Sequence, residues 1–206
     1  MSRIYIYGYN GNMAKRYRAI LRELGHETGG IDVGDDEYSF GHEDADAFIV
    51  ATPTECHVAD LYDLEHCNRP ILCEKPITKN IEELEVLLED FKTSGTKLQM
   101  VSQYDYLVDD TTSGMTSYNY FKTGNDGLGW DCINIIKHAR GHISIRNTSP
   151  VWTCKINGQR INISQMDSAY IEMMTDWLKH PEYTDFRGIL NAHKKVRDWE
   201  EQCLKS

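Results

Sequence analysis

Short, nearly continuous apolar runs alternate with segments of helical periodicity through the first half of the chain. The runs are RIYIYG (3–8), DAFIVATP (46–53), PILCEKP (70–76) and KLQMVSQY (97–104), with HETGGID (26–32) a weak strand ending in Asp32 between the first two. Between RIYIYG and HETGGID, Met13, Tyr17, Ile20, Leu21 and Leu24 recur at the spacing of one helix face. HVADLYDLEHC (57–67) and NIEELEVLLEDFKTSG (80–95) also have a helical pattern, the second with Asn80 as cap and Gly95 as stop. Apolar runs with little polar alternation belong in a parallel sheet covered by helices. Right-handed crossovers then deliver the strand-end loops to one edge. The stretch from Asp32 to Ala47 is short for a full crossover helix, which predicts a trimmed link. A Rossmann-type α/β domain is therefore expected over residues 1–103.

The pattern changes after that point. TTSGMTSYNYFKTG (111–124) alternates like a half-buried strand, and GWDCINIIKHAR (129–140) has the pattern of an amphipathic helix. HISIRNTSPVWTCKINGQRINI (142–163) predicts strands with a turn at Asn157-Gly158. Two helices, SAYIEMMTDWLKH and FRGILNAHKKVRDWEEQCL, complete the chain. Strands grouped together with helices after them predict a small α+β domain over 104–206, serving substrate binding or oligomerisation. Trp152, Trp177 and Trp199 are expected as core or interface anchors.

Charge narrows the choice of partners. With 22 Lys and Arg against 32 Asp and Glu, the net charge is −10 and no basic cluster offsets it. Nucleic acid and anionic membranes are excluded, because phosphate binding needs clustered cations. No apolar segment approaches a membrane span, and MSRIYIYGYNG lacks the pattern of a signal peptide. The six cysteines form no CxxC pair, so reduced thiols and a cytoplasmic location are expected. No metal site is expected either, since His138 and His142 have Gly141 between them and no acidic partner at hand.

The first strand turn carries the strongest hint of a ligand. Gly8, Gly11 and Ala14 make a G-x-x-G-x-x-A spacing, a variant of the dinucleotide fingerprint. Glycines allow a tight turn and a close backbone approach to a pyrophosphate. The helix opening at Asn12 and Met13 then aims N–H groups at that phosphate, with Asn10 at the turn. Asp32 ends the weak second strand, roughly 20 residues beyond the glycines, where a carboxylate can bond ribose hydroxyls. Asp35 and Asp36 follow, without a Lys or Arg to accept a 2′-phosphate. NAD is therefore favoured over NADP.

GYNGNMA, ATPTECH and CEKPITKN, in this order and spacing, resemble the Gfo/Idh/MocA family of NAD(P)-dependent oxidoreductases. The resemblance covers the Rossmann half and implies a compact form with a reduced C-terminal domain. It implies that Ala51, Thr52 and Pro53 line the pyrophosphate and ribose, with His57 at the start of the next helix near the cofactor. It also implies that Glu74 faces the nicotinamide side, that Lys75 bonds the substrate hydroxyl, and that Pro76 fixes the turn. A lysine partly buried beside a cationic ring has a lowered affinity for its proton, which suits the exchange that accompanies alcohol oxidation.

The family's second domain commonly supplies a D-x-x-x-H pair. Here Asp131 matches its first position, but Ile135 stands where the His belongs, with Asn134 one place early and His138 one turn late. On a helix, Asp131 and Asn134 would share a face toward the cleft. Tyr104, Asp105, Tyr118 and Tyr120 are further polar candidates. The expected function is hydride transfer between NAD and a hydroxyl or carbonyl of a sugar or polyol-like small molecule. Lys75, Asp131 and Asn134 are the catalytic candidates, and a homodimer is expected. A catalytically silent dinucleotide-binding protein and an NAD-assisted non-redox enzyme are the alternatives.

Overall fold

The computed structural model describes residues 1–34, 39–103, 106, 118–122, 130–138, 141–148, 151–156, 159–161 and 163–204. Side chains are described for 1–34, 39–103, 106, 164, 166–194, 197 and 198. The chain divides into two compact units, Met1–Ser102 with Ile171–Phe186, and Gln103–Tyr170 with Arg187–Ser206.

The first unit is built on five parallel strands: β1 (Arg3–Tyr7), β2 (Glu27–Ile31), β3 (Ala47–Val50), β4 (Ile71–Cys73) and β5 (Leu98–Met100). Their spatial order is β2-β1-β3-β4-β5. The chain therefore leaves β1 in one direction for β2, then returns to build β3, β4 and β5 on the other side. Such a reversal opens a crevice at the carboxyl ends of β1 and β3, the usual ligand position in an open α/β sheet. Helices α1 (Asn12–Glu23), α2 (Thr54–Leu64) and α3 (Ile81–Ser94) make three of the crossovers.

Burial follows the apolar runs. Ile4, Ile6, Phe48, Ile49, Val50, Ile71, Leu72 and Leu98 are fully or almost fully buried. The helices add Ala14, Tyr17 and Leu21, then Leu61 and Leu64, then Leu84, Leu87 and Phe91. Each of the large side chains stabilises the fold by about 1.5–3 kcal/mol through burial. Helix α3 starts as its sequence predicts, because the Asn80 side chain accepts the N–H of Glu83 at 3.2 Å.

The link between β2 and β3 contains no α-helix among the described residues. A 3₁₀ turn, His42–Asp44, covers part of the sheet there. The His42 ring lies 4.6 Å from that of Phe48 and 5.6 Å from that of Tyr5. Arg69 fastens this turn by donating to the carbonyls of His42 and Glu43 at 3.2 and 2.9 Å. Strand β2 needs Gly30 because a Cβ there would lie 2.2 Å from the carbonyl oxygen of Ile6 and 2.6 Å from the Tyr9 ring. That contact explains its weak strand signal: the ring of Tyr9 occupies the space a side chain would need.

The second unit carries an antiparallel sheet in the order β10-β9-β8-β7-β6. Its strands are β6 (Tyr118–Lys122), β7 (Trp130–His138), β8 (Gly141–Thr148), β9 (Val151–Ile156) and β10 (Gln159–Ile161). Helices α4 (Ile163–Lys179) and α5 (Phe186–Leu204) follow. The α+β character agrees with the sequence pattern, but one element does not. The segment expected as a helix around Asp131 is β7, paired with β6 on one side and β8 on the other. Ile133, Ile135 and Ile136 are β-branched and suit a central strand, so sheet pairing overrides the helix-like spacing. Tyr104, Asp105 and the Asn157-Gly158 turn lie outside the described residues, as do the side chains of Trp152 and Trp199. Trp177 is buried.

The part of α4 that belongs to the first unit is followed by a turn tied to β5. Gln99 Nε2 donates to the carbonyls of His180 and Tyr183 at 3.3 and 3.0 Å. On α5, buried His193 bonds the Ile189 carbonyl through Nδ1 at 2.8 Å. Burial lowers its pKa, against a smaller opposing effect of that bond. The unfolded chain thus binds the proton more readily than the folded one. Stability should be lost as the pH falls through about 6.5, the ordinary histidine value, toward the lowered folded value. His193→Gln should flatten that acid-side loss in thermal denaturation followed across the same pH range.

Candidate cofactor and active site

Strand pairing extends one residue beyond several strand ends, which sets the loops in register along one edge. Gly8 N donates to Ile31 O at 2.9 Å, Ala51 N to Tyr7 O at 3.0 Å, and Glu74 N to Val50 O at 2.8 Å. The turn after β1, the segment Ala51–Pro53 after β3 and Glu74-Lys75 after β4 are consequently neighbours at the carboxyl edge. Asp32 joins them from the end of β2.

Gly8 has φ +79°, and a Cβ on it would lie 2.8 Å from the Ala51 carbonyl oxygen. The two loops therefore meet backbone to backbone at the sheet's reversal point, a closeness that only glycine permits. Gly11 caps α1 with no side-chain oxygen to satisfy the first helical N–H groups, and Asn12 and Met13 open the helix. Lys15 N donates to Gly11 O at 3.0 Å and closes the first turn of the helix. This helix end offers N–H groups and a positive dipole end to an anion.

Asp32 is already engaged on both oxygens. Oδ2 accepts Asn10 N at 2.7 Å, and Oδ1 accepts Val33 N at 2.8 Å. A carboxylate has about four acceptor positions, so these bonds orient it and leave capacity for two ribose hydroxyls. The glycine cradle, the open helix end and the anchored carboxylate fit an adenine dinucleotide without a 2′-phosphate.

The other side of the edge is held by part-buried hydrogen bonds. Glu74 accepts the Tyr17 hydroxyl on Oε1, and its Oε2 accepts Lys75 N at 3.1 Å. Lys75 is half-buried and precedes Pro76 through a cis peptide bond. Helix α2 begins at Thr54, after Pro53, so His57 sits in its first turn rather than at its start. His57 is only 1% exposed, with Nε2 2.8 Å from Thr52 O and Nδ1 2.9 Å from Pro76 O. The Thr52 hydroxyl donates to Asp60 Oδ2 at 2.5 Å. Burial raises the Asp60 pKa, while the Thr52 bond and His57 act against the rise.

Gly8, Asn10, Gly11, Asn12, Met13, Asp32, Ala51, Thr52, Pro53, His57, Glu74 and Lys75 thus all belong to the loops, or the first turns after them, on this edge of the first unit. Asp131 and Asn134 do not share the arrangement expected of them. They stand on β7, aligned with Phe121 and Tyr118 of β6, and their side chains lie outside the described residues. Positions three apart on a strand fall on opposite faces, so the single helical face proposed for the pair does not exist. Two supporting residues escaped the sequence reading. In the sequence Tyr17 has the pattern of a core position only, although a buried phenol needs a polar partner. Asp60 is a carboxylate one turn after His57 on a helix packed against the sheet, and that spacing was its only signal.

An open parallel sheet with an anion-binding turn at its reversal point and a carboxylate at the end of β2 defines a dinucleotide-binding Rossmann domain. Residues 6–102 match the model of the Gfo/Idh/MocA oxidoreductase family, NAD-binding Rossmann fold. No curated protein matches the chain in sequence. Among solved structures, a Gfo/Idh/MocA family oxidoreductase from Vibrio cholerae is 12% identical with a TM-score of 0.61, covering 99% of this chain and 100% of its own. The WlbA (WbpB) dehydrogenase from Thermus thermophilus, in complex with NAD and UDP-GlcNAcA, is 13% identical with a TM-score of 0.57. That alignment covers 94% of this chain and 93% of the other. A myo-inositol dehydrogenase from Corynebacterium glutamicum is 10% identical with a TM-score of 0.57, covering 96% and 95%. At these identities the likeness is one of fold.

Gly8→Ala offers a direct check on the cradle. The added methyl meets the Ala51 carbonyl and must adopt a left-handed conformation, which should cost roughly 1–3 kcal/mol. Denaturant titration should show that loss, and NADH binding followed by fluorescence should weaken with it.

Proposed function

We propose that the chain is an NAD-dependent oxidoreductase acting on a hydroxyl or carbonyl of a sugar or polyol-like small molecule. The observation that carries this reading is the position of Lys75. It follows β4 on the same sheet edge as Gly8, Asp32 and Ala51, with its backbone N–H held by Glu74. Two of the similar structures are described by their sugar or polyol chemistry, a complex with UDP-GlcNAcA and a myo-inositol dehydrogenase, which supports the substrate class.

The nicotinamide, when bound, supplies or accepts the hydride. Gly8, Gly11 and the start of α1 hold the pyrophosphate, and Asp32 holds the adenosine ribose. Ala51, Thr52 and Pro53 line the cofactor between them. Lys75 binds the reacting oxygen and exchanges its proton as the oxidation state of the carbon changes. Tyr17, through Glu74, braces the backbone from which Lys75 projects. Asp131 and Asn134 remain candidates for orienting the substrate, but they fall on opposite faces of β7, so only one of them can do so. In this reading the chain also pairs with a second copy through the β6 or β10 edge. A sedimentation mass of one 23.7 kDa chain at micromolar concentration would sink the pairing.

One feature of the chain favours a second reading. In the resemblance to the Gfo/Idh/MocA family, Ile135 stands where a second-domain histidine is expected. Without that group, a protein that binds the dinucleotide but turns nothing over is the nearest rival. Titration with NADH and NADPH, followed by turnover across sugars and polyols, separates the two. NADH should bind in preference to NADPH, and Asp32→Ala should weaken it. Lys75→Ala should retain NADH binding while losing about 10²–10⁴-fold in turnover. Binding with no turnover on any sugar or polyol, unchanged in Lys75→Ala, would establish the rival.

A further inference from the structure

His57 is placed against two carbonyl oxygens at once. Nε2 is 2.8 Å from Thr52 O and Nδ1 is 2.9 Å from Pro76 O. Neither oxygen can donate. A neutral imidazole has one N–H and one lone pair, so it satisfies only one of these contacts and sets a lone pair against the other oxygen. An imidazolium donates to both. The ring is buried, and a buried ion needs compensation. Two carbonyl dipoles point at it, and Asp60 on its own helix is close enough for mutual attraction.

The two oxygens belong to the two loops that matter most. Thr52 lies in the segment after β3, and Pro76 ends the Glu74-Lys75-Pro76 turn after β4. Their strands are adjacent, joined at the edge by Glu74 N donating to Val50 O. Beyond that bond His57, in the first turn of α2, contacts both loops. Asp60 extends the link through the Thr52 hydroxyl at 2.5 Å. The titratable groups around the clasp are Asp60 from α2, Glu74 and Lys75 from the turn that His57 grips, and Cys73 at the end of β4. Burial raises the Cys73 thiol well above its ordinary value, and Glu74 and Asp60 raise it further.

We propose that His57 is a protonation-dependent clasp, which as imidazolium joins the cofactor loop at Thr52 to the Lys75 loop at Pro76 and as neutral imidazole releases one of them. It is a positioning residue, because both ring nitrogens are committed to the backbone. Its effect on cofactor and substrate rests on the oxidoreductase reading above; the clasp itself does not. In the protonated form the two loops keep a fixed separation, which holds Lys75 in register with the cofactor. Loss of the proton replaces one attraction with a repulsion and lets that separation vary.

The test begins with the full chain, labelled with ¹⁵N and ¹³C and without nucleotide. Ring-nitrogen correlations are followed against pH together with the carbonyl ¹³C signals of Thr52 and Pro76. On the acid side both His57 nitrogens should carry protons. As the ring loses one, at least one of the two carbonyl signals should shift with the same midpoint. A single neutral tautomer throughout the folded range overturns the proposal, as does a titration that moves neither carbonyl. NADH affinity supplies the second arm. The wild type should bind more tightly on the acid side of that midpoint, whereas His57→Gln should be flat and about tenfold weaker there, the loss of one hydrogen bond to a charged group. Identical pH profiles for the two proteins would also overturn it. If neither protein binds NADH, the cofactor reading fails while the nitrogen and carbonyl signals still decide the clasp.

Discussion

Parallel pairing of β1 with β2 on one side and β3 on the other is the constraint on which the first unit depends. It fixes the register Tyr7↔Ile31 and Tyr7↔Val50, so three strands end at one level of the sheet. The direction of crossing reverses at β1, and the loops there must part to either side. What remains between them is a crevice floored by backbone. Gly8 lies against the Ala51 carbonyl there, and a Cβ at that position would come within 2.8 Å of its oxygen.

From this crevice the polar groups are arranged by charge. Negative charge is fixed at Asp32 by two backbone N–H groups. The start of α1 contributes positive potential a few residues away. A dinucleotide has complementary parts, with ribose hydroxyls to donate to the carboxylate and phosphates to meet the helix end. Farther along the edge, the part-buried bonds Tyr17–Glu74 and Thr52–Asp60 stiffen the turns instead of meeting a ligand. The site combines a held binding side with Lys75, whose backbone is held through Glu74. Preorganisation of this kind lowers the cost of placing a reacting group.

Much of this was legible in one dimension. The apolar runs at residues 3–8, 46–53 and 70–76 became β1, β3 and β4 because each was too apolar to tolerate water on either face. Asn80 and Gly95 bounded α3 as cap and stop. The glycine turn and Asp32 were recognisable because their roles are performed by the local backbone and a single carboxylate. The segment around Asp131 was misread for a physical reason. Isoleucines at 133, 135 and 136 satisfy either a helix face or a paired strand, and the choice was made by β6 and β8, far away in sequence. Asp131 and Asn134 lost their common face with it.

The sequence by itself determined the parallel α/β class of the first half, the glycine turn, and the acidic end of β2 that selects against a 2′-phosphate. These follow from side-chain size, periodicity and charge, which the chain carries wherever it goes. Tertiary structure alone decided that Tyr17 would reach Glu74 across 57 residues and that His57 would face two carbonyls. Hydrogen bonds of that kind have no periodic signature. They depend on the angle at which α1 and α2 settle on the sheet, which is set by the packing of all the buried side chains together.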